Sequence, residues 1–344
     1  MSALVLMFPG QSSRYPGMFE KLVELHRPNA ELLRWASELL GRDLAAHYAV
    51  DAGEQAFERN VDVQVGVFLA NHMYLRALEA MGVHAGRSLG LSLGEWNHLV
   101  HIGALSFEDA LRAVEVRGRC YDEGPRGWMA AVQPIAEDEL REVVERASSF
   151  GVVEIVNLNS PRQQVIAGER AAVEAAIELV EDEHYAQTHI IDRNVPMHSS
   201  LFEPVGERFA TYLRGLCFAA PKRPYLPNRI GRPLASPTQA DFVELLSSHV
   251  CAPVRWRASI EHIAVACPEA VFVEVGPKAV LSNLMHRKWL SNRKLHTDSS
   301  EDTAEHFAGV VAELLLHAGA PEPESPLVRE PDHNRQELSA CTAR

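Results

Sequence analysis

Three short, largely apolar runs, each stopped by a tight turn, constrain this chain most. Residues 3–8 (ALVLMF) run into Pro9-Gly10, residues 88–91 (SLGL) into Ser92-Leu93-Gly94, and residues 270–275 (AVFVEV) into Gly276-Pro277. Runs of this length suit buried strands, and the glycines and prolines that end them suit sharp loops. Segments with helical spacing stand between them at 18–26, 30–40, 65–81, 96–104 and 107–119. Others follow at 201–214, 240–248, 260–266 and 305–317. Strand and helix alternate, so the fold class read from the chain is α/β.

The character changes after Gly124-Pro125-Arg126-Gly127. Strands are expected at 129–133, 152–157, 164–167 and 188–191 and helices at 137–148 and 171–181, with Asn159-Ser160-Pro161 as a turn. The order β-α-β-β-α-β over about seventy residues is the ferredoxin-like pattern. The expected organisation is a large α/β-hydrolase-like domain, 1–126 and 197–318, carrying an inserted ferredoxin-like subdomain, 127–196. Residues 319–344 hold few large apolar side chains and read as a disordered tail.

Composition narrows the function. The formal net charge of −13 disfavours non-specific nucleic-acid binding, which needs a surplus of cations. No apolar run reaches the ~18 residues of a membrane span. The N-terminal segment lacks a basic n-region, so no secretory leader is expected. The five cysteines are odd in number and lack CxxC spacing. They imply a reducing, cytoplasmic compartment with neither a disulfide frame nor a metal site.

Gly90-Leu91-Ser92-Leu93-Gly94 is a G-x-S-x-G motif between an expected strand and an expected helix, the context of a nucleophile elbow. The glycines permit a tight turn that exposes the serine, and the helix N-terminus behind it favours an anion. The same five residues also fit a surface turn that happens to carry a serine. A serine nucleophile needs a base. Among 16 histidines, His198 stands out by its place before the helical run 201–214. There Ser200 and Glu203 have the spacing of a capping box. A helix N-terminus at that point would favour neutral imidazole.

These residues belong to a longer series. Phe8-Pro9-Gly10-Gln11-Ser12, Gly90 to Glu95, Val116-Arg117-Gly118, Asn159-Ser160-Pro161 with Val165-Ile166-Ala167-Gly168, Val195-Pro196-Met197-His198, Pro253-Val254-Arg255-Trp256 and Glu274-Val275-Gly276-Pro277 occur in one order. The series resembles the malonyl-CoA:acyl carrier protein transacylase family, including the acyltransferases of polyketide synthases. It spans the chain apart from its tail.

The resemblance implies that Ser92 receives an acyl group from a thioester and that His198 is its base. It implies an oxyanion hole from the backbone N–H groups of Gln11 and Leu93, and a main-chain carbonyl at His249 that orients His198. Arg117 stands where the family grips the free carboxylate of malonyl groups, a task suited to a forked, permanently charged guanidinium. Met197 and Met129 are the expected acyl-pocket residues. Departures from the family pattern are Leu91 in place of histidine, Trp96 for tyrosine, Asn97-His98 for small residues and His249 for glutamine.

The expected activity is transfer of a malonyl or related acyl group from coenzyme A to the phosphopantetheine thiol of an acyl carrier protein. The coenzyme A thioester and the phosphopantetheine are substrates, and no bound cofactor is expected. The chain is expected to act as a monomer, away from nucleic acid and membrane. Carrier proteins of this class are acidic, so a local cationic dock is needed; Arg287 and Lys288 are the candidates, against a plain solvated helix end. Two alternatives keep the serine chemistry: a hydrolase that clears acyl groups from carrier proteins, and a transferase for a non-malonyl chain. A third is a degenerate partner that only docks.

Overall fold

The computed structural model describes residues 4–299 and 303–318; the tail expected at 319–344 lies outside the described residues. β1 (Leu4–Phe8) leads through a 3-10 turn (Gln11–Ser13) to α1 (Met18–Leu25), α2 (Asn29–Leu40), α3 (Leu44–His47), a kinked 3-10 segment (Val50–Phe57) and α4 (Asn60–Ala80). β2 (Arg87–Gly90), α5 (Gly94–His101) and α6 (Phe107–Asp122) follow. The middle of the chain forms β3 (Trp128–Gln133), α7 (Glu137–Ala147), β4 (Val153–Ser160), β5 (Gln163–Gly168), α8 (Arg170–His184) and β6 (Gln187–Asp192). The remainder supplies α9 (Glu203–Leu213), α10 (Gln239–Ser248), α11 (Trp256–Ala266), β7 (Val271–Glu274), α12 (Val280–Leu284), β8 (Lys294–His296) and α13 (Thr303–Ala318).

The strands form two sheets. One is parallel, in the order β2-β1-β7-β8. Its register sets Phe8 opposite Gly90 and Met7 opposite Glu274, so the loops after β1, β2 and β7 leave the same edge. Each of β1 and β7 is buried at every position, as strands covered on both faces must be. α4 is apolar nearly all round and runs through the interior, with Val65, Phe68, Leu69 and Met73 fully buried. It begins five residues earlier than its apolar spacing predicts. The Asp122 carboxylate accepts the backbone N–H groups of Asn60 at 2.7 Å and Val61 at 3.2 Å, which starts the helix there.

The second sheet is antiparallel, in the order β4-β5-β3-β6. Side chains alternate across it. Ala130 and Val132 join Leu140 and Val173 in a core under α7 and α8. Met129 faces the other way, into the large core that also holds Val165, Val195 and Met197. β4 is tied to the rest of the chain by backbone bonds between Leu158 and Val254 and between Val254 and Val156, both 2.9 Å.

Three local expectations are corrected. The strand expected to stop at 157 continues to Ser160, and the turn falls on Pro161-Arg162. The run 201–214 divides into a 3-10 turn (Ser200–Phe202) and α9. Ser200 caps nothing: its N–H and hydroxyl both bond the Glu154 carboxylate, at 2.7 and 2.6 Å, so no capping box with Glu203 forms. β8 was not expected at all; three residues with half-buried side chains give no period to read. Among the described residues no helix is long and apolar enough to cross a membrane.

Candidate active site

Because β1 and β2 are parallel neighbours, the turns after Phe8 and Gly90 emerge side by side. A Cβ at Gly10 would lie 3.0 Å from the Leu91 carbonyl and 3.8 Å from Cβ of Ser92. The two glycines of the motif serve close approach. A Cβ on Gly90 would stand 2.0 Å from the Gly94 carbonyl, and one on Gly94 would stand 2.0 Å from the Phe8 carbonyl oxygen. The positive φ falls on Ser92 itself, at 51°. A non-glycine residue held there is costly and is retained where its surroundings fix it.

Part of that fixing comes from Asn228. Its Oδ1 accepts the Ser92 N–H at 2.8 Å and its Nδ2 donates to the Gly90 carbonyl at 2.7 Å. The N–H groups of Leu93 and Gln11 donate to no acceptor among the described residues. Two unspent donors thus flank the serine, one just after it and one on the neighbouring loop.

His198 also adopts a positive φ, 64°. Its N–H bonds the Val250 carbonyl at 3.0 Å, which draws the segment after β6 against the end of α10. Its Nε2 lies 2.8 Å from Ser92 Oγ and its Nδ1 lies 2.6 Å from the His249 carbonyl oxygen. A carbonyl can only accept, so Nδ1 carries the proton and Nε2 is left to accept from the serine. Burial, and then the Arg117 charge, push the His198 imidazolium down to about 3, so the ring is neutral near pH 7. This corrects the expected cause: desolvation keeps the ring neutral, and a 3-10 turn, not an α-helix, follows it.

Arg117 comes from α6 and is 1% exposed. Its Nη1 donates to Gln64 Oε1 at 2.7 Å, its Nη2 reaches Ser92 Oγ at 3.4 Å, and its guanidinium lies 4.5 Å from the centroid of the Tyr121 ring. No carboxylate among the described residues forms an ion pair with it, and burial lowers its pKa. A buried cation held by amide, hydroxyl and ring is a receptor for an anion.

Met129 and Met197, each 4% exposed, lie in the same apolar cluster. A polar cleft of about 600 Å³ opens beside Gln11, lined among others by Arg14, Arg59, Arg126 and His189. Arg287 and Lys288 are exposed but lie elsewhere. They lie in the connection from α12 to the start of β8 and do not line the cleft beside Gln11, whereas Ser92 follows the C-terminal end of β2. Of the neighbouring cations, Arg293 pairs with Glu313, and Lys294 donates to the carbonyls of Ser282 at 2.5 Å and Met285 at 2.8 Å.

The sequence reading missed Gln64, Glu95, Tyr225 and Asn228 as site residues. Glu95 alone gave a signal, as an acid at the head of an apolar stretch. Here it is 1% exposed and accepts from Tyr225 Oη at 2.7 Å and Asn228 N at 3.2 Å, and its Oε2 lies 3.2 Å from His249 Nδ1.

The arrangement finds counterparts. Residues 5–304 match the acyl transferase domain family. The malonyl CoA-acyl carrier protein transacylase of Bacillus subtilis (strain 168) is 31% identical over 307 residues, covering 88% of this chain and 94% of the relative. The structure of the malonyl CoA-acyl carrier protein transacylase from Clostridium perfringens has a TM-score of 0.83 at 29% identity, covering 92% of this chain and 99% of that one. A malonyl-transacylase in complex with its type II PKS acyl-carrier protein has a TM-score of 0.82 at 26% identity, covering 91% of this chain and 100% of that one. Both solved structures share the mixed fold of parallel and antiparallel sheets, and the family match, residues 5–304, includes the segment from Gln11 to His249. The chain belongs to the acyl transferase domain family.

Proposed function

We propose that this chain moves a malonyl group from coenzyme A to the phosphopantetheine thiol of an acyl carrier protein through an acyl-serine at Ser92. The observation that carries the reading is Arg117, a buried guanidinium within 3.4 Å of the serine hydroxyl and in no ion pair with a carboxylate among the described residues. A malonyl thioester brings the missing carboxylate to that point and presents its carbonyl carbon to Ser92. The names of the relatives point to the same chemistry.

Ser92 Oγ attacks the thioester carbon while its proton passes to His198 Nε2. The N–H groups of Gln11 and Leu93 bind the resulting oxyanion. The C–S bond then breaks, and the leaving thiolate takes the proton from His198. In the second half, His198 accepts the proton of the carrier thiol, whose sulfur attacks the acyl-serine; Ser92 leaves and recovers its proton. The His249 carbonyl keeps His198 in the required tautomer throughout, and Met129 and Met197 form the apolar wall of the acyl pocket. The finer architecture belongs to the same proposal. An α/β-hydrolase-like domain, 1–126 and 197–318, holds Ser92, His198 and Arg117. A ferredoxin-like subdomain, 127–196, closes the site with the face that bears Met129; its strand order and its β-α-β-β-α-β succession support that description.

The test is mass spectrometry of the protein after brief exposure to malonyl-CoA, followed by chase with holo carrier protein. The expected result is a malonyl adduct on the Ser92 peptide, absent in Ser92→Ala, that moves to the carrier thiol faster than it appears as free malonate. Release mainly as free malonate would replace transfer by hydrolysis. An adduct formed from acetyl-CoA in preference to malonyl-CoA would replace the substrate.

A further inference from the structure

The Ser92–His198 pair is held from below by a single buried carboxylate. Glu95 sits on the first turn of α5 and is 1% exposed. Its Oε1 accepts the Tyr225 hydroxyl at 2.7 Å. Its Oε2 accepts the Asn228 N–H at 3.2 Å and lies 3.2 Å from His249 Nδ1. The His249 ring is pushed well below its usual pKa by burial and by the neighbouring His198, so it is neutral, and Nδ1–H donates to the carboxylate. Its Nε2, the acceptor nitrogen in that tautomer, has no partner among the described residues.

Two short chains of contacts run from this carboxylate to the two reacting groups. Through Asn228 it reaches the Ser92 N–H (2.8 Å) and the Gly90 carbonyl (2.7 Å), which hold the serine at positive φ. Through His249 it reaches the carbonyl that accepts His198 Nδ1–H at 2.6 Å, and the His249 ring stacks on that of His198 at 4.9 Å and 26°. Nucleophile and base come from segments more than a hundred residues apart, Ser92 and His198, and Glu95 touches the support of each.

We infer that Glu95 is a positioning residue for both arms of the Ser92–His198 pair, acting through Asn228 on one side and His249 on the other. In its ionised form it offers acceptors to all three donors and places a negative charge behind the imidazolium that forms at His198. The charged and titratable groups facing it or its partners are Arg117, Arg229, His98, His198, His249 and Tyr225. The His98 ring stacks on that of Tyr225; burial holds it at about 3, so it stays neutral over the range that matters. Burial lifts the Glu95 carboxyl to about 7, against the lowering effects of Tyr225, Asn228 and Arg117. As pH falls through that value the group gains a proton and loses an acceptor site and its charge. Ser92 reactivity should therefore decline on the acid side of about pH 7, where His198 itself does not yet titrate.

The inference rests on the reading of Ser92 as nucleophile but not on its acyl substrate, so the test uses a fluorophosphonate. Ser92 Oγ bonds to phosphorus, fluoride leaves, and the serine proton goes to His198. The rate of phosphonylation at Ser92 is followed on the full chain between about pH 5.5 and 8.5. Glu95→Gln, which keeps the shape, should lower the rate at pH 8 by about ten- to a hundredfold and abolish the acid decline. Tyr225→Phe, which keeps the carboxylate but removes one donor, should move the decline to higher pH. A folding role alone would alter the fraction of reactive protein and leave the decline where it was. Wild-type rate and profile in a folded Glu95→Gln overturn the inference, as does an unmoved decline in Tyr225→Phe, which decides the matter if Glu95→Gln fails to fold. Phosphonylation of Ser92 without malonyl transfer would sink the proposed function and leave this inference standing.

Discussion

Arg117 is a buried cation that forms no ion pair with a carboxylate among the described residues, although the Glu95 charge acts on it from further off, and that imbalance has measurable consequences. The guanidinium uses Gln64, Ser92 and the Tyr121 ring as partners, none of which neutralises it. Removing one member of a buried, hydrogen-bonded charge pair costs about 2–5 kcal/mol. Arg117→Ala should therefore reduce kcat/KM for malonyl loading by roughly 10²- to 10³-fold, while acetyl loading, which brings no carboxylate, is spared or improved. Loading rates for malonyl-CoA and acetyl-CoA on the two proteins check this; an equal loss for both would make Arg117 a purely structural residue. At this scale the sequence was informative where a residue sits inside a short motif. Ser92, His198 and Arg117 could each be singled out, and the structure brings His198 and Arg117 each within hydrogen-bond reach of Ser92. Gln64, Tyr225 and Asn228 could not be singled out, because each acts through a contact between segments far apart in the chain. Nothing in Leu226-Pro227-Asn228 announces that its asparagine will bond the Ser92 turn.

At the scale of elements, the turn between β2 and α5 is fixed by crowding. The Phe8 carbonyl occupies the space a Gly94 Cβ would need, at 2.0 Å, and neither is the end of a flexible side chain. Gly94→Ala must push β1 and α5 apart, and overpacking of this kind costs about 1–3 kcal/mol or more. Urea unfolding should show a lowered midpoint, and Ser92 labelling should fall with it. Gly309, in α13, supplies the contrast. A Cβ there meets nothing within 4 Å, so Gly309→Ala should stabilise by about 0.5–1 kcal/mol in the same assay. Unchanged stability in Gly94→Ala would mean that the turn can open, and the argument from close approach would fail. The same logic explains which elements could be read in advance. Buried strands such as β1 and β7 declare themselves by composition. The start of α4, set by Asp122, and the fate of Ser200, set by Glu154, depend on carboxylates from other elements that local spacing does not contain.

For the whole molecule the proposed function raises the question of how a chain of net charge −13 meets a carrier protein of the acidic kind that the family resemblance implies. The sum opposes encounter, so the distribution of cations must overcome it. The sequence offered Arg287 and Lys288 because they stand together, but they lie in the connection that leads from α12 into the start of β8 and do not line the cleft beside Gln11, whereas Ser92 follows the end of β2. The parallel register instead brings Gln11 to the edge where Ser92 emerges, and the cleft that Gln11 lines is also lined by Arg14, Arg59 and Arg126. Of these, Arg14 holds the Gln11 carbonyl at 3.3 Å and Arg59 lies 3.6 Å from Asp122, whereas Arg126 is exposed at the rim. We expect Arg126→Glu to raise KM for carrier protein by about three- to tenfold at low ionic strength with little change in kcat. The difference should shrink as salt shortens the Debye length from about 30 Å at 0.01 M to about 10 Å at 0.1 M. Arg287→Glu combined with Lys288→Glu should leave KM near that of the wild type, since neither residue lines the cleft beside Gln11. Steady-state transfer assays over a salt series separate the two surfaces. The reverse pattern, with that pair raising KM and Arg126 silent, would place the carrier at the connection from α12 to β8 and not at the cleft beside Gln11.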